Sequence, residues 1–145
     1  MTAAGEAPRK RRILVCYDGS PESERALERV AEFASAVPSE VTVVSVAEPV
    51  YRHPPYTGYA DPAEEEAHRG LLEEASRKFA GHEIVCETLE PAREPVDAIV
   101  EAARETGADL IVVGSRHRGV ARRLLFGSVS GELFVEAPCD VLVVR

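Results

Sequence analysis

Two glycine-containing turns bound the stretch of this chain with the clearest chemical character. Gly114 follows an apolar run, and Gly127 lies thirteen residues further on, at the start of a predicted helix. A helix start presents unpaired N–H groups and a partial positive charge, and glycine lets a ligand approach the backbone closely. Because the intervening loop is basic, the stretch predicts a cradle for phosphate or another anion. Its candidate residues are Gly114, Arg116, His117, Gly127, Ser128, Val129 and Ser130.

The elements that would position this cradle alternate along the chain. Runs rich in β-branched residues predict strands at 12–17, 40–46, 83–89, 109–113 and 141–144. Helical spacing of apolar residues predicts helices after Ser20, over 63–80, from Pro95 and over 128–136. Ser20 is suited to an N-cap and Gly107 to a C-cap. The alternation predicts an α/β fold with a parallel sheet covered on both faces by helices.

Length, charge and composition narrow the class of protein. A chain of 145 residues suits one compact domain, so we expect residues 12–145 to form it and residues 1–11 to be a disordered basic tail. A net charge of −8 argues against binding to nucleic acid or anionic membranes. No apolar run approaches the ~20 residues that span a bilayer, and the first residues lack a secretory signal. We therefore expect a cytoplasmic protein.

The three cysteines, Cys16, Cys86 and Cys139, have neither C-x-x-C spacing nor a nearby histidine partner. An odd, dispersed set predicts neither a disulfide framework nor a zinc site. Cys16 and Cys86 lie in strand-like runs, where a free cysteine behaves as a small buried apolar residue.

Three segments carry a resemblance to a known family. The chain reads GSRHRGVARRLLFGSV at 114–129, YDGS at 17–20 and APCDVLVV at 137–144. Taken together, they resemble the universal stress proteins, whose nucleotide-binding members carry the pattern Gly-x2-Gly-x9-Gly-(Ser/Thr). Gly114 and Gly127-Ser128 keep the outer spacing of that pattern. The resemblance extends over nearly the whole chain, from Arg12 to Arg145.

The resemblance implies a single open five-stranded parallel sheet, Rossmann-like and similar to the adenine nucleotide alpha hydrolases, with strand order 3-2-1-4-5. Ligands of such sheets bind beyond the carboxyl ends of the strands at a topological switch point. By analogy with nucleotide-binding members, Asp18, Val46 and Val113 would line the adenine, and Gly114 would lie near the ribose. Alternatively, Asp18 could simply stabilise its own turn. The implied ligand is ATP or another adenine nucleotide, with Mg2+ as a candidate companion ion.

Two departures from the family pattern bear on this ligand. His117 occupies the position of the inner glycine, and Arg93 occupies a position that is often glycine. An imidazole at position 117 could fill the space for ribose and phosphate, or it could contact a phosphate directly. Arg116 could screen phosphate charge or could simply face solvent.

The favoured interpretation is a regulatory nucleotide-binding protein without dedicated catalysis; slow incidental ATP hydrolysis or self-phosphorylation stays compatible with the family. The last strand, from Val141 to Val144, is expected at a sheet edge, where the family usually pairs into homodimers. The alternative is a dimeric stress-interaction protein of the same family that binds no nucleotide. A small phosphotransfer enzyme is the weakest candidate, because the P-loop lysine is missing. The loop containing Tyr51 and Tyr59 could be a flap or a solvated connection.

Overall fold

In the computed structural model, seven strands and three full helices are described. The described residues are 9–46, 50–51, 58–59, 62–79, 84–89, 95–115, 133 and 135–145. The elements in chain order are β1 (Arg11–Cys16), α1 (Pro21–Ala36), β2 (Ser39–Val46), β3 (Val50–Tyr51), β4 (Gly58–Tyr59), α2 (Pro62–Lys78), β5 (Ile84–Leu89), α3 (Pro95–Thr106), β6 (Leu110–Gly114) and β7 (Asp140–Val144). Leu133, Val135 and Glu136 are also helical.

The main sheet contains five parallel strands in the order β5-β2-β1-β6-β7. In terms of the predicted strands, the third, second, first, fourth and fifth follow one another across the sheet. The predicted α/β class, with a parallel sheet and helices, is therefore confirmed. β7 lies at one edge of this sheet and β5 lies at the other.

Alternate residues of the central strands pack into two separate cores. Ile13, Val15 and Tyr17 of β1 and its following loop pack with residues of α1 and α2. Leu14 and Cys16 pack on the opposite face with residues of α3 and with Leu133. Because side chains alternate between the faces of a strand, a run that is apolar at every position must be covered on both sides. The apolar runs of the sequence therefore correspond to a sheet with helices on both faces.

The ends of the helices follow the predicted capping chemistry. The Ser20 side chain accepts a hydrogen bond from the backbone N–H of Ser23, and Pro21 opens α1. Gly107, just after α3, has a φ of 63°, a left-handed conformation that glycine adopts without a Cβ penalty. Both predicted caps are confirmed.

Several bounds differ from the predicted ones by one or two residues. β1 begins at Arg11, inside the segment expected to be a tail, and Arg9 donates a hydrogen bond to the Asp109 carboxylate at 3.4 Å.

The predicted loop after β2 contains a short antiparallel pairing, in which Val50 is opposite Tyr59. Valine and tyrosine favour extended backbone, which accounts for a ladder inside a proline-rich segment. The described helices are too short or too polar to cross a membrane.

Candidate functional site

The ends of β1, β2 and β6 meet at one edge of the sheet, here called the carboxyl edge. Cys16 is in register with Val44 of β2, and Val15 is in register with Val112 of β6. The Tyr17 amide then donates to the Val44 carbonyl at 2.9 Å, so the pairing with β2 continues beyond the end of β1. The carboxyl-terminal ends of three neighbouring strands therefore lie side by side, and the chain leaves the sheet at each of them.

Asp18 leaves the sheet at this edge, between the ends of β2 and β6. Its Oδ1 accepts a hydrogen bond from the Ser20 amide at 2.9 Å, which closes a turn around Gly19. Gly19 has a φ of 79°, a conformation that other residues rarely adopt. The Asp18 carboxylate thus supports the turn before α1, and it is half-buried rather than sealed in the core. An aspartate has two carboxylate oxygens, so a turn role and a ligand role can coexist.

Val113 and Gly114 end β6 beside this turn, but both are buried. Val113 is 2 % exposed and packs in the core on the α3 side. A Cβ added to Gly114 would lie 2.8 Å from the Glu22 carbonyl carbon and 2.8 Å from the Ser23 nitrogen. The absence of a side chain at Gly114 is therefore required by the close approach of α1, whatever else it permits.

A polar network under the carboxyl edge has no counterpart in the sequence motifs. The Tyr17 hydroxyl donates to the Glu24 carboxylate, which also pairs with the Lys78 ammonium group. Burial of the Glu24 carboxylate opposes its ionisation, but the hydrogen bonds from Lys78 and Tyr17 outweigh this and lower its pKa. Burial, together with the bond to Glu24, raises the pKa of Tyr17. The network joins the residue after β1 to α1 and to the end of α2.

A second polar contact, this one buried, lies on the same face of the sheet. The Ser45 hydroxyl, 0 % exposed, is hydrogen-bonded to Nδ1 of His68, which is 9 % exposed. Ser45 is next to the last residue of β2, and His68 is in α2. Sequence reasoning missed this contact, because a serine among valines and a histidine in a charged helix give no sign of each other. The available signal was weak: Ser45 is one of several polar residues in β2, beside Thr42 near the middle of the strand.

Cys16 and Cys139 are free thiols, one buried and one partly buried. Burial, with a smaller contribution from the Asp18 carboxylate, raises the pKa of Cys16 to about 12. Burial and the nearby Asp140 carboxylate raise the pKa of Cys139 as well. A thiol that resists ionisation is a poor nucleophile and a poor metal ligand. Cys86 lies within β5, as expected. Among the described residues, no group of three or more His, Cys, Asp or Glu side chains is arranged to hold a metal ion.

For the remaining predicted site residues the structure describes either no side chain or nothing at all. Val46 ends β2 at the carboxyl edge, but its side chain is not described. The departure at Arg93 also lies outside the described residues. The other predicted site residues that lie outside the described residues are Arg116, His117, Gly127, Ser128, Val129 and Ser130.

Comparison with known proteins identifies the family of this α/β chain. Residues 10–145 match the model of the universal stress protein family. A universal stress protein of Thermus aquaticus is 39 % identical over 140 residues, which cover 92 % of this chain and 97 % of that protein. The chain belongs to the universal stress protein family, and the resemblance stated from its motifs is confirmed.

Solved structures of universal stress proteins have a similar fold. One from Archaeoglobus fulgidus aligns with a TM-score of 0.71 and 27 % identity, covering 93 % of each chain. Another universal stress protein, whose crystal structure is a complex with cAMP, aligns with a TM-score of 0.68 and 28 % identity. That alignment covers 93 % of this chain and 97 % of the other.

Proposed function

We propose that this universal stress protein binds an adenine nucleotide, with ATP as the expected ligand, at the carboxyl edge of its Rossmann-like sheet. The nucleotide acts as a regulatory ligand in a stress response, without dedicated catalysis. The observation that carries the proposal is the meeting of Asp18 with the ends of β2 and β6 at one point of the sheet. Open α/β sheets bind ligands at such a point, where successive connections leave in opposite directions.

The ligand class follows from chemistry and from a relative. The Asp18 carboxylate can accept a hydrogen bond from the exocyclic amino group of adenine. Gly127, Ser128 and Val129 supply backbone N–H groups, and Ser130 a further hydroxyl, for phosphates at a predicted helix start. Val46, Val113 and Gly114 would lie beside the base and ribose, and Arg116 and His117 beside the phosphates. A universal stress protein with 28 % identity forms a complex with cAMP, an adenine nucleotide.

A second candidate is a family member that acts through protein contacts and binds no nucleotide. Each described site residue with a defined side-chain environment already has a structural role. Asp18 closes a turn, Val113 packs in the core, and Gly114 makes room for α1. His117 and Arg93 would then occupy space that glycine leaves open in nucleotide-binding relatives.

Calorimetric titration of the purified protein with ATP, AMP and GTP, each with and without Mg2+, separates these two candidates. Saturable binding of ATP or AMP at one site per chain, with GTP much weaker, supports the adenine site. Dependence of the ATP signal on Mg2+ would show whether the ion accompanies the phosphates. The absence of saturable binding to any of the three would overturn nucleotide binding and leave the second candidate.

Asp18→Asn tests the role of the carboxylate without dismantling its turn. The asparagine oxygen can still accept from the Ser20 amide, whereas its amide nitrogen presents a donor to the adenine amino group. We expect ATP binding to weaken at least about tenfold, with little change in the urea midpoint. Asp18→Ala, which also loses the hydrogen bond from the Ser20 amide, should lower both the ATP affinity and the urea midpoint. Unchanged ATP affinity in Asp18→Asn would restrict Asp18 to the turn.

We also propose that the protein is a cytoplasmic homodimer, formed by one domain over residues 12–145 and paired through β7. β7 is bonded to β6 on one side only within the described sheet. The exposed side of an edge strand presents N–H and C=O groups that a second copy can pair with.

A further inference from the structure

We propose that His68 is a positioning residue for the nucleotide cleft and that it acts through Ser45 on the end of β2. The inference rests on the proposed nucleotide function and adds to it a residue outside the family motifs. Its basis is the hydrogen bond between the Ser45 hydroxyl and His68 Nδ1 within a buried environment.

Ser45 lies where a small shift of the backbone would change the shape of the proposed nucleotide cleft. Its neighbour Val44 accepts the Tyr17 amide at 2.9 Å, and the next residue of the chain after Tyr17 is Asp18. Val46, the predicted adenine contact, follows Ser45 directly. The position of Ser45 therefore helps to define the spacing between Asp18 and Val46, the two residues expected to hold the base.

The burial of this pair indicates that it helps to define how β2 and α2 are placed relative to each other. Ser45 is 0 % exposed in a strand whose other buried residues include Val41, Val43 and Val44. An apolar residue there would pack without needing a partner, whereas a hydroxyl requires one. A satisfied buried polar pair favours one arrangement of the elements that it joins. Here it joins the end of β2 to α2 and so restricts the relative placement of the two elements.

A second contact places the same part of α2 against the cleft. A Cβ added to Gly19 would lie 3.0 Å from Cδ2 of Leu71, which follows His68 by three positions in α2. Residues three apart in a helix lie on one face. One face of α2 therefore contacts both the end of β2, through His68, and the turn after β1, through Leu71. Val46 lies at the end of β2, and Asp18 lies in the turn after β1.

Three substitutions at two positions test the inference. His68→Asn places an amide near the position of Nδ1 and can keep the bond to Ser45, whereas His68→Leu keeps apolar bulk without a polar atom. Ser45→Ala removes the other partner while the histidine ring remains. Thr106→Ala is the matched control, because the Thr106 hydroxyl bonds to the Ala102 carbonyl at the C-terminal end of α3, away from the carboxyl edge.

Two measurements are made on each variant: ATP affinity by calorimetry, and hydrogen exchange of the Tyr17 amide in the ligand-free protein. We expect ATP binding to weaken about tenfold in His68→Leu and in Ser45→Ala, which corresponds to about 1.4 kcal/mol. In both, exchange at Tyr17 should become faster. His68→Asn should stay within about twofold of wild type, and Thr106→Ala should leave both readouts unchanged.

Each other outcome has a defined meaning. Wild-type affinity in His68→Leu, or equal weakening in His68→Asn and His68→Leu, would overturn the positioning role. If His68→Leu does not fold, Ser45→Ala and His68→Asn give the same contrast. If the wild type binds no ATP, the proposed function fails, and exchange at Tyr17 decides separately whether the pair positions the ends of β1 and β2. Unchanged exchange of the Tyr17 amide in Ser45→Ala would then also overturn the claim that the pair positions the ends of β1 and β2.

Discussion

Gly114 lies where the last residue of β6 meets the first turn of α1. The atoms that a Cβ would approach most closely belong to the backbone of Glu22 and Ser23, at 2.8 Å, so a side chain there cannot be accommodated by a rotamer change. The same glycine is the first of the Gly-x2-Gly-x9-Gly-(Ser/Thr) pattern from which the nucleotide site was predicted. A motif glycine can thus have a packing role that is independent of any ligand.

Gly114→Ala should destabilise the protein by about 1–3 kcal/mol, because α1 must move away from β6 to admit the methyl group. The measurement is the free energy of unfolding from urea titration. Gly70→Ala is the matched control: it lies in α2 with no atom within 4 Å of the added Cβ. In a helix interior that substitution should stabilise by about 0.5–1 kcal/mol. Equal stability of Gly114→Ala and wild type would contradict the packing role.

At the scale of elements, α2 is attached to the rest of the domain by polar as well as apolar contacts. Lys78 at the end of α2 pairs with Glu24 of α1, which also accepts from the Tyr17 hydroxyl. Leu72 and Phe79 pack in the core that α1 shares. Because the carboxylate of Glu24 is stabilised in the folded state, this attachment depends on pH.

The sign of that dependence follows from the lowered pKa of Glu24. A carboxyl group that ionises more readily when folded contributes its stability above its ordinary pKa of about 4.3. The contribution is lost as the pH falls through the lowered value, where the group is protonated in both states.

We therefore expect Glu24→Gln to be less stable than wild type at pH 7, by on the order of 1 kcal/mol because the pair is partly exposed. The difference should shrink as the pH is lowered below about 4. Urea unfolding of both proteins across this range measures it. Glu32→Gln, at an exposed position of the same helix, is the control and should show a smaller effect at pH 7. A difference that stays constant with pH would contradict the role of ionised Glu24.

At the scale of the whole molecule, β7 is the strand on which the proposed homodimer depends. Its residues alternate between more and less exposed positions, and Leu142 is 45 % exposed on this edge strand. A charged side chain on an edge strand is one means by which proteins prevent edge-to-edge pairing. A lysine at position 142 should therefore oppose the proposed homodimer while leaving the sheet intact.

Leu142→Lys is expected to shift the protein from dimer to monomer in sedimentation velocity at micromolar concentration. Its secondary structure by circular dichroism should match that of wild type, because the side chain lies partly in solvent. Val135→Lys is the control, since Val135 is 84 % exposed in the helical segment before β7. A dimer that persists in Leu142→Lys, or a monomeric wild type, would contradict pairing through β7.

The alternation of strands and helices, the caps at Ser20 and Gly107, and the family can all be predicted from the amino-acid sequence alone. These features depend on residues close together in the chain: β-branched runs, helical spacing, and a serine or glycine at a helix end. The burial of Leu14 and Val15 on opposite faces follows from the same local rule, since a continuously apolar strand must be covered twice.

The pairing of polar groups and the need for glycine at position 114 depend instead on how the elements pack. The Ser45–His68 and Glu24–Lys78 contacts join residues 23 and 54 positions apart, on different elements. No periodicity or capping pattern encodes such a pair, because it exists only after α2 has packed against the sheet and α1. The clearance at Gly114 likewise depends on the approach of α1, which follows from the packing of the whole core rather than from any residue near it in the chain.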